Sequence, residues 1–439
     1  VKNTWLLLAF GVFFVAGAGF FLFDSAVLTN VLQAAETGKD SLQIEQSAAL
    51  SGGGEVKASE TDQNKAAPAS GDVKASLLPA PKPRPIPLDP SVAREAEAAI
   101  SKALNWLAAH QKEDGSWSDG NYPALTALPL WAFGGSIHPQ KKEITDKAIK
   151  YILSCVQTNG GIFRIVEGKV GGGLSTYNTA ISMTGLSMTR RSDLDPVILK
   201  ARSFLAATQY AGDDMYAGGF GYDAGTGRKY TDLMNTLFAV EAMRRTEGVE
   251  DTRDPSEKKA DIDWDAARGF LARLQNNQSS GDEDYGGFPY RPDESKAGAT
   301  TNEQGRAVFR SYGSMTYAGL MSMMYCKLSR NDPRVKSAFD WSVNNWSLEE
   351  NPGMGPQGRY FFYHVLSKAM AAYGQDTIVV KDKGGTQWRA EVVQKLLSLQ
   401  KTTPEGLGYW VNETGRFMES DPVLVTSYSI LAMQWASGL

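Results

Sequence analysis

Among the titratable side chains of this sequence, Asp232, Glu303 and His364 are the candidates for moving a proton at a reacting atom. A carboxyl group serves as a general acid when burial keeps it protonated, and an imidazole exchanges protons near neutral pH. Around them stands a set of hydroxyl, amide, carboxylate and guanidinium groups that could orient a ligand: Tyr177, Asn178, Tyr230, Asn235, Arg306, Arg310, Tyr312, Tyr317, Tyr360, Tyr363, Asp421 and Tyr428. Brought together at one rim, they would make an aromatic pocket with polar groups at its edge. The same Tyr residues would equally serve as core filling, and Asp232 and Asp421 each precede a helical turn, which reads as N-capping. No metal site and no cofactor are expected, because His110, His138 and His364 are too widely spaced to suggest a ligand cluster. Asp261-Ile262-Asp263-Trp264-Asp265 is dense in carboxylates but opens a helix, where capping and the helix dipole account for it. Cys155 and Cys326 lie in apolar helical stretches and read as buried, reduced thiols.

The elements that must position these groups repeat along the chain. From Ser91 to Leu439 a helical stretch ending near a Gln is followed by a glycine turn, usually with an aromatic, and a second helix. An apolar or aromatic residue stands five before the Gln except at Gln400, where Lys395 takes that place. The Gln positions are Gln111, Gln157, Gln209, Gln275 and Gln400, and Trp346 takes the place in the fifth unit. The turns follow in register: Gly115-Ser116-Trp117, Gly161-Ile162-Phe163, Gly219-Phe220-Gly221-Tyr222, Gly287-Phe288-Pro289-Tyr290, Gly353-Met354-Gly355 and Gly408-Tyr409-Trp410. Six helix pairs that cannot bury their faces alone should stack into a closed ring. Outer helices are expected to start near Val92, Glu143, Asp195, Asp263, Asp332 and Thr386, and inner helices near Ala124, Tyr177, Thr231, Tyr312, Arg359 and Pro422. Asp195-Pro196 and Asp332-Pro333 read as N-cap and first-turn pairs. The polar insertions Val249 to Lys259 and Pro292 to Gly305 read as surface loops over a mouth of the ring.

At 439 residues the chain has room for one large domain plus extensions, and a net charge of −4 gives no electrostatic case for nucleic acid. After a short cytoplasmic N-terminus of residues 1–4, Trp5 to Phe23 carries no charge. At about 1.5 Å per residue it spans roughly 28 Å, a bilayer's hydrocarbon thickness. It reads as an uncleaved transmembrane anchor over 5–23, which the segment to about residue 33 could continue, with the C-terminal part extracytoplasmic (periplasmic). The alternative is a cleaved signal peptide, with small residues near Ala16-Gly17-Ala18 or Leu32-Gln33-Ala34-Ala35. Residues 34–90 are Ala-, Ser- and Gly-rich and then Pro-rich, the composition of a disordered linker, with a reach of roughly 45 Å for the chain after the anchor.

Lys102-Ala-Leu-Asn-Trp106-Leu-Ala-Ala-His-Gln111, followed by Asp114-Gly115-Ser116-Trp117, resembles the Gln-Trp repeat of squalene and terpene cyclases, which also relates them to protein prenyltransferase β subunits. The resemblance runs from Ser91 to the C-terminus. It implies an all-α fold, an (α/α)6 toroid with inner and outer helix rings around a central cavity. The segment from Arg310 to Thr316 and on to His364 resembles a bacterial single-toroid subgroup known by these repeats. For class II cyclases the resemblance implies an Asp-x-Asp-Asp-Thr motif at an inner helix; with its Thr on Thr236, the proton-donating Asp falls on Met234. For prenyltransferases it implies zinc held by Asp, Cys and His; those positions fall on Phe309-Arg310-Ser311-Tyr312 and Val425-Thr426-Ser427-Tyr428, which lack all three ligands. A related ring carries a Cys-Gly-Glu-Gln thioester, and Asn302-Glu303-Gln304 lacks its Cys.

The sequence therefore points to a membrane-anchored toroid that binds a ligand or protein, as a scaffold component near an envelope protein complex. The rivals are an enzyme acting on an isoprenoid or other lipid through Asp232, Glu303 or His364, and a glycan-active enzyme with paired carboxylates. A filled ring with apolar surface outside would favour the scaffold; a deep Phe-, Trp- and Met-lined cavity would favour the lipid.

Overall fold

The computed structural model describes residues 87–166, 174–223, 230–381 and 383–438. The expected anchor Trp5 to Phe23 and the linker as far as residue 86 lie outside the described residues. Among the described residues no helix is long and apolar enough to cross a membrane.

Among the described residues twelve helices alternate between two layers, with a further single-turn helix at Glu247–Glu250. The outer ones are α1 (Pro90–Ala109), α3 (Lys141–Leu153), α5 (Asp195–Thr208), α7 (Trp264–Leu274), α9 (Pro333–Asn344) and α11 (Trp388–Leu399). The inner ones are α2 (Ala124–Gly134), α4 (Ser175–Met188), α6 (Leu233–Arg245), α8 (Gly313–Tyr325), α10 (Arg359–Tyr373) and α12 (Pro422–Ser437). Each starts within two residues of the place its sequence pattern indicates. Every inner helix packs against the next, and α12 packs against α2, so the inner layer closes on itself. Outer helix α1 packs against α11 and α12, joining the first repeat to the last. The inner helices are buried on nearly every face, as a ring enclosed by a second layer requires.

Acidic caps begin many of these helices. Asp89, Asp232, Asp263, Asp332 and Asp421 each accept a backbone N–H of the first turn. Asp195 departs from expectation: it is the first helical residue of α5, behind Leu194 at the N-cap. The Gln residues staple neighbouring outer helices. Gln111 Nε2 donates to Ile144 O (3.0 Å), Gln209 Nε2 to Asp263 O (2.9 Å) and Gln275 Nε2 to Arg334 O (2.9 Å). Gln400 Nε2 donates to Ala99 O (2.9 Å), sealing the ring between α11 and α1. Gln157 differs, bonding Cys155 O and Phe163 O within its own turn.

In the third and fourth turns the reversal falls one residue before the expected glycine. Gly218 and Gly286 take positive φ, and a Cβ on either would lie within 2.4 Å of the carbonyl oxygen of Ala266 or Ser337 on the next outer helix. In four of the six turns the aromatic is tied to the following inner helix. Trp117, Phe220, Phe288 and Trp410 donate their backbone N–H to Thr126, Thr236, Thr316 and Thr426 Oγ1.

Three small hairpins decorate the connections: β1–β2 (Ala299–Thr301 with Ala307–Phe309), β3–β4 (Thr377–Val380 with Gly384–Gln387) and β5–β6 (Lys401–Thr402 with Gly408–Tyr409). The two polar insertions do not share one mouth. Val249 to Lys259 joins inner α6 to outer α7, whereas Pro292 to Gly305 joins outer α7 to inner α8, so they leave opposite ends of the inner helices. The first is also anchored: buried Glu250 pairs with Arg202 (2.8 Å) and Arg253 (2.5 Å).

Candidate functional site

Side chains from non-neighbouring inner helices meet across the centre of the ring, in three layers. The layer nearest the inner-helix N-termini holds Tyr177 of α4, Phe238 of α6, Phe361 of α10 and Tyr428 of α12. Phe238 and Phe361 lie 6.1 Å apart between ring centroids, Phe361 and Tyr428 5.7 Å, and Tyr177 meets Phe238 edge-on at 5.5 Å. Beneath it His364 of α10 stacks on Tyr428 at 5.2 Å and meets Trp131 of α2 edge-on at 5.8 Å. His364 is fully buried, and neither ring nitrogen has a hydrogen-bond partner among the described residues. Burial, with the charge of Lys368, holds its pKa well below the ordinary imidazole value, so it is neutral.

The third layer is charged. Lys368 Nζ of α10 lies 2.5 Å from Glu241 Oε2 of α6, and Arg245 Nε lies 2.8 Å from Glu241 Oε1. Tyr325 of α8 donates its hydroxyl to Glu241 (2.8 Å). Lys368 and Arg245 both sit over the Trp131 ring, and Arg245 also over Trp435. Burial raises the Glu241 carboxyl, but the two cations outweigh it and hold it at about 2; burial lowers Lys368 to about 8. The pair is ionised at neutral pH and closes the centre of the ring at this level.

At the other end Asp232 is the N-cap of α6. It accepts from Asn235 N (2.9 Å) and Asn235 Nδ2 (2.7 Å). Burial raises it to about 6 against those bonds, and its charge in turn raises Tyr222, Tyr290 and Tyr312 further than burial alone. Tyr177, Tyr222, Tyr230 and Met234 keep partial exposure. Met234 shares a helix face with Phe238, Glu241 and Arg245 by its spacing. Glu419, in the connection before α12, is buried and accepts from Phe361 N (2.8 Å) and Asn412 Nδ2 (2.6 Å). Burial pushes it up to about 7.

The other expected residues divide. Asn178 is a structural link, its Oδ1 accepting the Ala124 N–H that opens α2 (3.1 Å). Tyr230 lies under the Arg291 guanidinium. Tyr312 is the buried residue before α8. Tyr317 turns away from the centre, toward Phe362 and the Ser342 hydroxyl of outer helix α9. Tyr363 donates to Leu348 O (2.5 Å) and pairs edge-on with Tyr360. Asp421 caps α12 and accepts from the Ser118 hydroxyl. Glu303 and Arg306 are exposed in the β1–β2 turn, and Arg310 pairs with exposed Glu283 and with buried Asp284. These three do not join the central cluster.

Sequence reasoning missed Glu241, Arg245, Lys368 and Glu419. The signal for the first and third was present: each is a charged residue within an otherwise apolar inner-helix run, where only a partner makes burial tolerable. Among the described residues no three His, Cys, Asp or Glu side chains are grouped as a metal ion would require. Two concavities, of about 410 and 910 Å³, lie against the outer helices.

No family model and no curated protein matches the chain. Among solved structures it is similar to the type II terpene cyclase MstE from Scytonema (11% identity over 77% of this chain and 98% of that one, TM-score 0.48). It is also similar to protein geranylgeranyltransferase-I of Candida albicans (13%, 77% and 90%, TM-score 0.49) and to an α-1,6-mannanase of Salegentibacter (11%, 79% and 98%, TM-score 0.47). The ring itself is established by the helix contacts within this chain.

Proposed function

We propose that this chain is a binding component, an α/α ring that presents its surface to a protein partner and is held at a membrane by the apolar segment Trp5 to Phe23, with the ring outside the cytoplasm. The observation that carries the reading is the filled centre. Lys368 and Glu241, and His364 and Trp131, meet where a catalytic ring would hold substrate. The positions at which the resembled enzymes need an acid or a metal ligand are Met234, Ser311 and Val425, none of which supplies either. The test is purification of the full chain from native membranes under mild conditions, with mass spectrometry of co-purifying proteins and lipids. A stoichiometric protein partner is expected; recovery as a bare monomer counts against the reading.

A second reading has one observation in its favour. Tyr177, Tyr222 and Met234 are partly exposed close to the raised carboxyl of Asp232, the arrangement of a small aromatic pocket with an acid at its base. On that reading the chain acts on an isoprenoid or other lipid. Turnover of such a lipid that is lost in Asp232→Asn but kept in Glu303→Gln would favour it.

A further inference from the structure

At the end where the inner helices finish, arginines take up the last carbonyl groups of α6, α8 and α12. Arg202 donates to Met243 O (2.7 Å), Arg244 to Tyr325 O (2.8 Å), Arg268 to Cys326 O (3.0 Å) and Arg389 to Trp435 O (2.9 Å). Each of these arginines also has a carboxylate: Glu250, Glu247, Asp265 and Asp376 in the same order. Charge and helix ends are thus answered together at four places.

Arg245, the last residue of α6, follows neither rule. Among the described residues it donates to no carbonyl, and it shares its carboxylate, Glu241, with Lys368. Its Nε is well bonded to Glu241 (2.8 Å). Nη2 reaches the Tyr325 hydroxyl at 3.3 Å, and Nη1 has a thioether, Met188 Sδ, at 3.9 Å. A guanidinium has five N–H donors, so the edge turned away from Glu241 is largely unsatisfied. Arg245, Lys368 and Glu241 together also keep one positive charge in surplus. The four other arginines already answer the helix ends, which leaves that surplus for an incoming anion.

The surroundings have the make-up of an interface anchor. The Arg245 guanidinium lies 5.2 Å from the Trp131 ring centroid and 5.4 Å from that of Trp435. Six other tryptophans donate their indole N–H to a protein acceptor. Among the described residues Trp131 and Trp435 do not, although Trp131 is only 4% exposed. Met188, Arg245, Tyr325 and Trp435 are all partly exposed, so the place is open from outside. A free guanidinium edge among Trp, Tyr and Met is the composition of a binding hot spot, and its fork fits a carboxylate through two parallel bonds.

We propose that Arg245, framed by Trp131 and Trp435, is the binding site for a carboxylate of the protein partner, at the end of the ring where the inner helices finish. The site stands on the geometry above; that the carboxylate belongs to a protein rests on the partner-binding reading.

The full chain is titrated with acetate and with its uncharged isostere acetamide at fixed ionic strength. Binding is read from tryptophan fluorescence and from hydrogen exchange in the last turn of α6. Acetate is expected to bind at least about ten-fold more tightly than acetamide and to slow exchange there. Arg245→Lys keeps a cation beside Glu241 but loses the planar fork, so acetate should weaken by about ten-fold while the melting temperature holds. Trp435→Phe removes an indole N–H without touching the ion pair and should weaken acetate by about three-fold. In mild extracts of native membranes, Arg245→Lys should cut the yield of the co-purifying protein by about ten-fold. Equal binding of acetate and acetamide, or acetate binding unchanged in Arg245→Lys, overturns the site. A partner that co-purifies undiminished with Arg245→Lys overturns the site's role in docking and leaves the partner-binding reading intact. Acetate binding by a wild-type chain that yields no partner defeats that reading instead, and the site stands.

Discussion

Lys368 and Glu241 reach each other from inner helices that do not touch as neighbours, and their charged groups meet 2.5 Å apart with both side chains excluded from solvent. The pair spans the ring between α10 and α6, and Arg245 completes the carboxylate's shell. An isolated charge in this place would be strongly unfavourable, so the two residues make each other tolerable.

Lys368→Met therefore leaves Glu241 buried with one cation in place of two. Unfolding free energy by urea titration should fall by about 3–5 kcal/mol, the usual consequence of breaking a buried pair. The double variant Glu241→Leu, Lys368→Met should recover most of that loss, because Arg245 is partly exposed and can turn to water. A double variant no more stable than the single one would contradict the pairing.

Glu419 sets a pH dependence of definite sign. Its folded pKa, about 7, lies above the ordinary 4.5. The stability it contributes is whole below pH 4.5 and is lost as pH rises through 7. Wild type should lose stability relative to Glu419→Gln across that window, on the order of 3 kcal/mol. Thermal melts of the two proteins from pH 4.5 to 8 read the difference, and parallel curves would refute the assignment.

At His364 the opposite sign applies. Its folded pKa is depressed, so its contribution is present above pH 6.5 and lost as pH falls. His364→Phe keeps the stack on Tyr428 and the edge contact with Trp131 while deleting two buried nitrogens. Melting temperature should hold or rise, and rise more at pH 5 than at pH 7.5. A marked loss would show that those nitrogens are satisfied in solution.

Among the Gln staples, Gln275 bonds Gly286 O, Arg334 O and the Ser337 hydroxyl, whereas Gln157 bonds only its own turn. Gln275→Ala should cost about 1–3 kcal/mol through the acceptors left buried, and Gln157→Ala less. Hydrogen exchange should quicken at the α7–α9 junction in the first variant alone.

Much of this architecture was legible because it is local and repeated. A unit recurring six times, with a Gln in five copies and a glycine turn in all, indicates the number of helices, their starts and the ring, since each unit's exposed apolar face needs the next. Asp232 and Asp421 could be read as caps from position alone, and both are. The threonines that receive the turn aromatics went unread, although Thr126, Thr236, Thr316 and Thr426 recur in register. A hydroxyl in an apolar helix gives no hint of direction.

What the sequence by itself determined is the repeat, and with it the two layers. Only the tertiary structure decided what fills the ring. Glu241 and Lys368 are 127 positions apart, and nothing local marks them as a pair. Tyr317 and His364 both sit in apolar inner helices, yet one turns to an outer helix and the other to the centre. Which face of an enclosed helix looks inward depends on its rotation against two neighbours. A helix buried all round carries no amphipathic stripe from which that rotation can be read.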